Sequence, residues 1–241
     1  MSFIAKFFKG KGNLSNKSTK EEVSQFFFEN NLITEKIKEN IIKESIDGEA
    51  LILLKDDDYT FLEISPEIKD KIKQYLELNK NNFIIDKKKI TLKFDSDKKE
   101  ALDFCKNYLS FKDNLNDDIN GKKLLTLSEQ EMKNLGLNLG QRKKLINYIK
   151  YINNNYKKEL IEYLKKEIKS LNQFFDELDL NEENSFVLIE EKIDNLPKNK
   201  KKNKVIYKNK LKEYKEKIFN TNLYTNENTN TNTNENTNTN T

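Results

Sequence analysis

The stretch from Ile119 to Lys144 occurs twice, and no other feature of the chain restricts its fold as much. Set back by 73 positions, Ile46-Asp47-Gly48 falls on Ile119-Asn120-Gly121, Leu51-Ile52 on Leu124-Leu125, Leu54 on Leu127, Leu62 on Leu135 and Ile64 on Leu137, with no gap. Apolar positions that recur in register mark one structural unit used twice. Around them the apolar spacing is helical. Val23, Phe26, Phe27 and Leu32 form a first stripe, Ile37, Ile41 and Ile42 a second, and Ile68, Ile72, Tyr75 and Leu76 a closing one. Ser18 or Thr19 is suited to cap the first helix, with Glu21 and Glu22 in its first turn. Asp56 to Asp58 read as the start of a short helix, and Ser65-Pro66 opens the last one.

Composition says where burial must lie. Over 241 residues, 35% hydrophobic against 35% charged is too little apolar material for one continuous core. Two small helical bundles with solvated flanks fit that distribution. The chain has no histidine, which removes the commonest general base and the usual metal ligand. A single cysteine makes no internal disulfide and fits a reducing compartment. Cys105, between Phe104 and Tyr108 on an apolar helical face, reads as a buried thiol. No catalytic residue, cofactor site or metal site is expected, and no apolar run is long enough to span a membrane. The glycine after Met1 that myristoylation needs and a C-terminal prenylation motif are both missing.

The paired blocks carry a family resemblance. Ile-Asp-Gly-x-x-Leu-(Leu/Ile)-x-Leu, an acidic stretch, Leu-(Gly)-(Ile/Leu) and then Gly-x-Arg-Lys-Lys-Leu resemble the second half of a sterile alpha motif (SAM) domain. Glu21-Glu22-Val23-Ser24-Gln25-Phe26-Phe27 is similar to the family's opening, with Phe26 where Trp usually stands, and Ala101, Phe104 and Cys105 fill the same places in the second copy. The resemblance implies an all-α chain with two five-helix bundles, over residues 19–79 and 96–153. Glu63 departs from the family by replacing the glycine before Ile64, and Glu67-Ile68-Lys69 stands where the second copy has Gly-x-Arg. Phe104 to Gly121 is also five residues shorter than Phe26 to Gly48.

A SAM domain implies binding without catalysis: an adaptor or scaffold that self-associates or binds other SAM proteins. An acidic middle face of one domain meets the start of the last helix of another, a heterologous contact that propagates unless capped. The charges suit that mode, since residues 20–79 carry 8 Lys/Arg against 15 Asp/Glu, a net −7, and residues 97–152 carry 11 against 8, a net +3. Glu44, Asp47, Asp56, Asp57 and Asp58 are the expected acidic face of the first domain. Leu139, Gly140, Gln141, Arg142, Lys143 and Lys144 are the expected basic end of the second. The partner is either another molecule, giving a homo-oligomer, a foreign SAM domain, or the same chain. The alternative is RNA-hairpin binding, because Leu139-Gly140-Gln141-Arg142-Lys143-Lys144-Leu145 is similar to the helix start of RNA-binding SAM domains of the Smaug type.

The flanks give weaker signals. In residues 1–18, Phe3, Ile4, Phe7 and Phe8 beside lysines read either as an amphipathic foot or as a turn packed on the first domain. The linker 80–95 either forms a small hairpin through Phe83-Ile84-Ile85 and Ile90, Leu92 and Phe94 or carries that alternation by accident. Beyond Asn153-Asn154-Asn155, residues 156–219 are expected to be helical. Ile161, Leu164, Ile168, Leu171, Phe175 and Leu178 step as a heptad seam. The seam makes either a coiled coil between chains or a helix folded back on Val187, Leu188, Ile189, Ile193 and Leu196. The basic run 198–204 reads as a solvated linker, a grip for an anionic surface or a nuclear import signal, so the expected location is cytoplasmic, with the nucleus as the other option. The Asn/Thr-rich tail 220–241 has almost nothing to bury and is expected to be disordered.

Overall fold

Several helix starts are written into the chain as side-chain caps. The computed structural model describes residues 13–85, 92–111, 119–178, 183–197 and 201–219, and every regular element among them is helical. The protein is all-α. The amphipathic foot, the middle of the hairpin (residues 86–91), the start of the basic run and the Asn/Thr tail lie outside the described residues.

In the first module Thr19 and Glu22 bond each other's backbone N–H groups at the start of α1 (Lys20–Glu29). Thr34 caps α2 (Glu35–Lys43), and Asp47 caps α3 (Gly48–Leu51) by accepting the Ala50 N–H at 2.8 Å. α4 spans Asp56–Phe61. Ser65 caps α5 (Pro66–Leu78), whose first residue is a proline at the one place where a missing N–H costs nothing. Val23, Phe27, Ile41, Ile46, Tyr59, Leu62 and Ile72 are sealed inside. In the second module Asp97 caps α6 (Lys98–Asn107), Asn120 accepts the Lys123 N–H in α7 (Gly121–Leu125), and α8 runs over Glu129–Asn134. Asn138 and Gln141 bond each other's backbone N–H groups, at 3.1 and 3.0 Å, to start α9 (Leu139–Glu167).

The two modules are closed by the same device. A strap before α1 places Leu14, whose N–H donates to the Tyr75 hydroxyl at 2.8 Å. The strap before α6 places Leu92, whose N–H donates to the Tyr148 hydroxyl at 2.9 Å, and that hydroxyl donates on to the Leu92 carbonyl. Tyr75 and Tyr148 are themselves 73 residues apart. In each strap a serine carbonyl accepts the N–H of the repeated glycine, Ser18 from Gly48 at 2.8 Å and Ser96 from Gly121 at 2.9 Å. A buried N–H left without such an acceptor costs about 1–3 kcal/mol, which makes the tyrosine oxygen as important as its ring. The end of the linker from Leu92 therefore serves as a strap. Phe83 ends a 3-10 turn (Lys80–Phe83) and is buried in the first module's core, while Leu92 anchors to the second module, so the two do not face each other as hairpin partners.

The chain divides into two compact units. One runs to Leu124 and resumes over Glu129–Ile152; the other comprises Leu125–Ser128 and the chain from Asn153 on. α9 does not stop at the asparagine run that suggested a boundary. It continues helically through Asn153-Asn154-Asn155 to Glu167, with Asn153 buried.

In the second unit, the expected continuous seam is broken. Helical geometry ends at Ile168, where φ −126° and ψ 64° turn the chain into a 3-10 turn (Lys169–Leu171) before α10 (Asn172–Glu177). Leu160, Leu164, Ile168 and Phe175 are buried, whereas Ile161, Leu171 and Leu178 are only partly so. They pack with Phe186, Ile189, Ile193 and Leu196 of α11 (Glu183–Asp194) and its end, and with Tyr207, Leu211, Tyr214 and Ile218 of α12 (Lys201–Phe219). Val187 and Leu188, expected on the folded-back face, are exposed. Among the described residues no helix is long and apolar enough to cross a membrane.

Candidate interaction surface

The acidic middle of the first module and the start of α9 meet within one compact unit. Capping creates the geometry. Asp47 uses Oδ1 for α3, leaving Oδ2 to accept from Lys144 Nζ at 2.8 Å. Asp58 accepts the Lys55 N–H at 2.6 Å at the start of α4 and pairs through the same oxygen with Lys143 Nζ at 2.8 Å. Glu44 follows α2, and its carboxylate accepts the Leu139 N–H at 2.8 Å while its backbone carbonyl accepts the Gly140 N–H at 2.8 Å. A carboxylate at a helix start is favourable because the first N–H groups have no partner within the helix.

The contact is dry. The side chains of Lys143 and Asp58 are 10% and 11% exposed, so removing either one leaves an uncompensated charge that costs about 3–5 kcal/mol. Leu139 packs into the core cluster of the first module, the equivalent of about 1.5–3 kcal/mol for a buried leucine. Gly140 makes the approach possible, since a Cβ there would stand 2.1 Å from the Ser45 carbonyl oxygen and 2.9 Å from that of Glu44. Ser45 itself holds a positive φ of 51°, and its hydroxyl accepts from Asn138 Nδ2 at 2.7 Å.

Several residues in this contact were not marked by the sequence. Tyr108, at the end of α6, donates its hydroxyl to Glu49 of α3, and Lys144 Nζ sits 5.2 Å from the Tyr108 ring centre. Burial, with the neighbouring carboxylates of Glu49 and Asp47, pushes the Tyr108 hydroxyl far above the usual tyrosine range. Its spacing beside Phe104 and Cys105 gave only a core signal. Asn138 and Ser45 carry no pattern that sets them apart from ordinary cap and turn residues.

Other expected site residues are not brought to the contact. Asp56 is exposed and engaged by its own module, pairing with Lys73 and, at 3.3 Å, with Lys69 of α5. These lysines, Lys73 foremost, hold its carboxyl below the ordinary aspartate range. Asp57 is exposed at the start of α4. Gln141 is buried as a cap partner of Asn138. Arg142 donates Nη1 to the Leu137 carbonyl at 2.7 Å, and its Nε lies 3.8 Å from Glu129. The contact brings together Glu44, Asp47 and Asp58 with Leu139, Gly140, Lys143 and Lys144.

Cys105 is buried, and burial pushes its thiol up to about 12. Among the described residues no group of three or more His, Cys, Asp or Glu side chains is placed to hold a metal ion. The class this fold defines is an all-α protein. Compared with known proteins, the chain matches no family model, no curated protein and no solved structure.

Proposed function

We propose that this chain is a non-enzymatic scaffold whose two SAM-like modules form a head-to-tail pair, and that the surface joining them is of the kind by which such modules bind one another. The observation that carries the reading is the paired contact of Lys143 with Asp58 and Lys144 with Asp47, both at 2.8 Å, beside a leucine of one module set in the core of the other. Opposite fields set the pairing, and the buried Leu139 contributes apolar contact area. RNA binding by the same helix start is less well supported. Lys143 and Lys144 are 9% and 6% exposed and already neutralised by carboxylates, so they offer no cations to phosphates.

The reading is tested by moving the contact between molecules. Two chains are prepared, one Lys143→Glu and one Asp58→Lys, each of which sets like charges face to face and opens its internal pair. Sedimentation velocity is expected to show each alone as a monomer and their equimolar mixture as a dimer, with opposite charges at both contacts, one pair as in the wild type and the other with its charges reversed. A mixture that stays monomeric rules the reading out.

A further inference from the structure

We propose that the acidic face of the first module admits a helix start only if its first residue keeps an N–H and its second is glycine, so that the chain's own α5 is refused and the head-to-tail contact closes within one molecule. This rests on the docking reading above and adds the rule that selects the partner.

A heterologous contact propagates whenever the unused end of one unit can fill the unused face of the next. Here the unused end is the start of α5, equivalent to the start of α9 through the 73-residue repeat; Ser65 and Asn138 are the matching caps. Three of its positions fail. Pro66 stands for Leu139 and has no N–H to give to a carboxylate such as Glu44, which accepts that bond at 2.8 Å in the observed contact. Glu67 stands for Gly140, where even a Cβ would lie 2.1 Å from a backbone oxygen that no side-chain rotation can move. Asp70 stands for Lys143 and would set a carboxylate against Asp58. Pro66, Glu67 and Asp70 are all exposed, so these residue types are not required by the first module's core.

The opposite end is altered as well. Asn120 replaces Asp47 in the second module and Glu131 replaces Asp58, so the face there lacks the carboxylate that binds Lys144. The partner class follows: a helix start of the form Leu-Gly-x-x-Lys-Lys on a neighbouring helical module, which this chain supplies once.

The experiment uses full-length chains and sedimentation velocity, with amide exchange at Leu139 and Gly140 reporting whether the internal contact is open. A Gly140→Glu chain is expected to lose protection at those amides by at least tenfold yet remain monomeric, because its freed acidic face meets only α5 starts that cannot enter. Gly140→Ala, run in parallel, adds the same Cβ while favouring the helix, and the same result is expected. A Pro66→Leu/Glu67→Gly/Asp70→Lys chain is expected to be monomeric alone, since its own α9 holds its acidic face. Mixed with Gly140→Glu it is expected to give a species of twice the mass. Self-association of the Gly140→Glu chain, or a mixture that stays at single mass with its contact open, overturns the selection rule. Unchanged protection in both Gly140 variants overturns the docking reading beneath it.

Discussion

Glu63 is a residue whose side chain does not justify its backbone. It adopts φ 62°, a left-handed conformation, at the position where the second module has Gly136 at φ 85°. An L side chain pays about 1–2 kcal/mol there, against about 0.5–1 kcal/mol for the greater freedom of glycine in the unfolded chain. Its ion pair with Lys36 is exposed on both sides, at 69% and 51%, and contributes little. Glu63→Gly is therefore expected to stabilise the protein by about 0.5–1 kcal/mol, read as a higher urea midpoint with an unchanged slope. The departure from the glycine pattern was visible in the sequence. Its cost was not, because only coordinates give the sign of φ.

At the scale of elements, helix starts were the most legible part of the chain. Thr19 and Ser65, both read as helix starts, cap the helices that follow, because a short polar side chain next to an apolar stripe has a local role that needs no distant partner; Asp47 and Asp97 cap two more that the sequence reading did not mark. Helix ends and faces were less legible. The heptad reading selected Ile161 as the start of a seam, yet the buried stripe of α9 starts one residue earlier, at Leu160, and joins the seam only from Leu164. A 29-residue helix has apolar residues on more than one face here, and the neighbouring α11 and α12 decide which face is covered. Leu160→Ala is expected to cost about 2–5 kcal/mol and Ile161→Ala under about half of that, both measured by chemical denaturation. Equal costs would favour the heptad seam over the observed packing.

For the whole molecule, buried acids tie stability to alkaline pH. Burial raises the Cys105 thiol from 9.0 to about 12, and burial, with Asp56 and Asp58 nearby, raises the Tyr59 hydroxyl from 10.0 to about 12. In both cases the folded state keeps a proton that the unfolded chain releases, so the contribution is complete below about pH 9 and is lost as pH rises toward 12. Urea midpoints are expected to fall progressively above pH 9, and Cys105→Ala is expected to flatten the first part of that fall. An unchanged profile would place the thiol in contact with solvent.

By itself the sequence determined that the chain is helical, that helices begin at Thr19 and Ser65, and that residues 20–79 carry net negative charge while residues 97–152 carry net positive charge. These follow from residue spacing and charge, which act over a few turns. Only the tertiary structure decided which charges meet. Asp56 is drawn to lysines 13 and 17 residues further along its own module, and Arg142 turns back to the Leu137 carbonyl, while Asp47 and Asp58 reach lysines on α9. An ion pair across a dry contact needs both modules placed to within an ångström or two, and that placement is set by steric fit. At this contact the fit turns on Gly140, which carries no charge and has room only because it lacks a side chain.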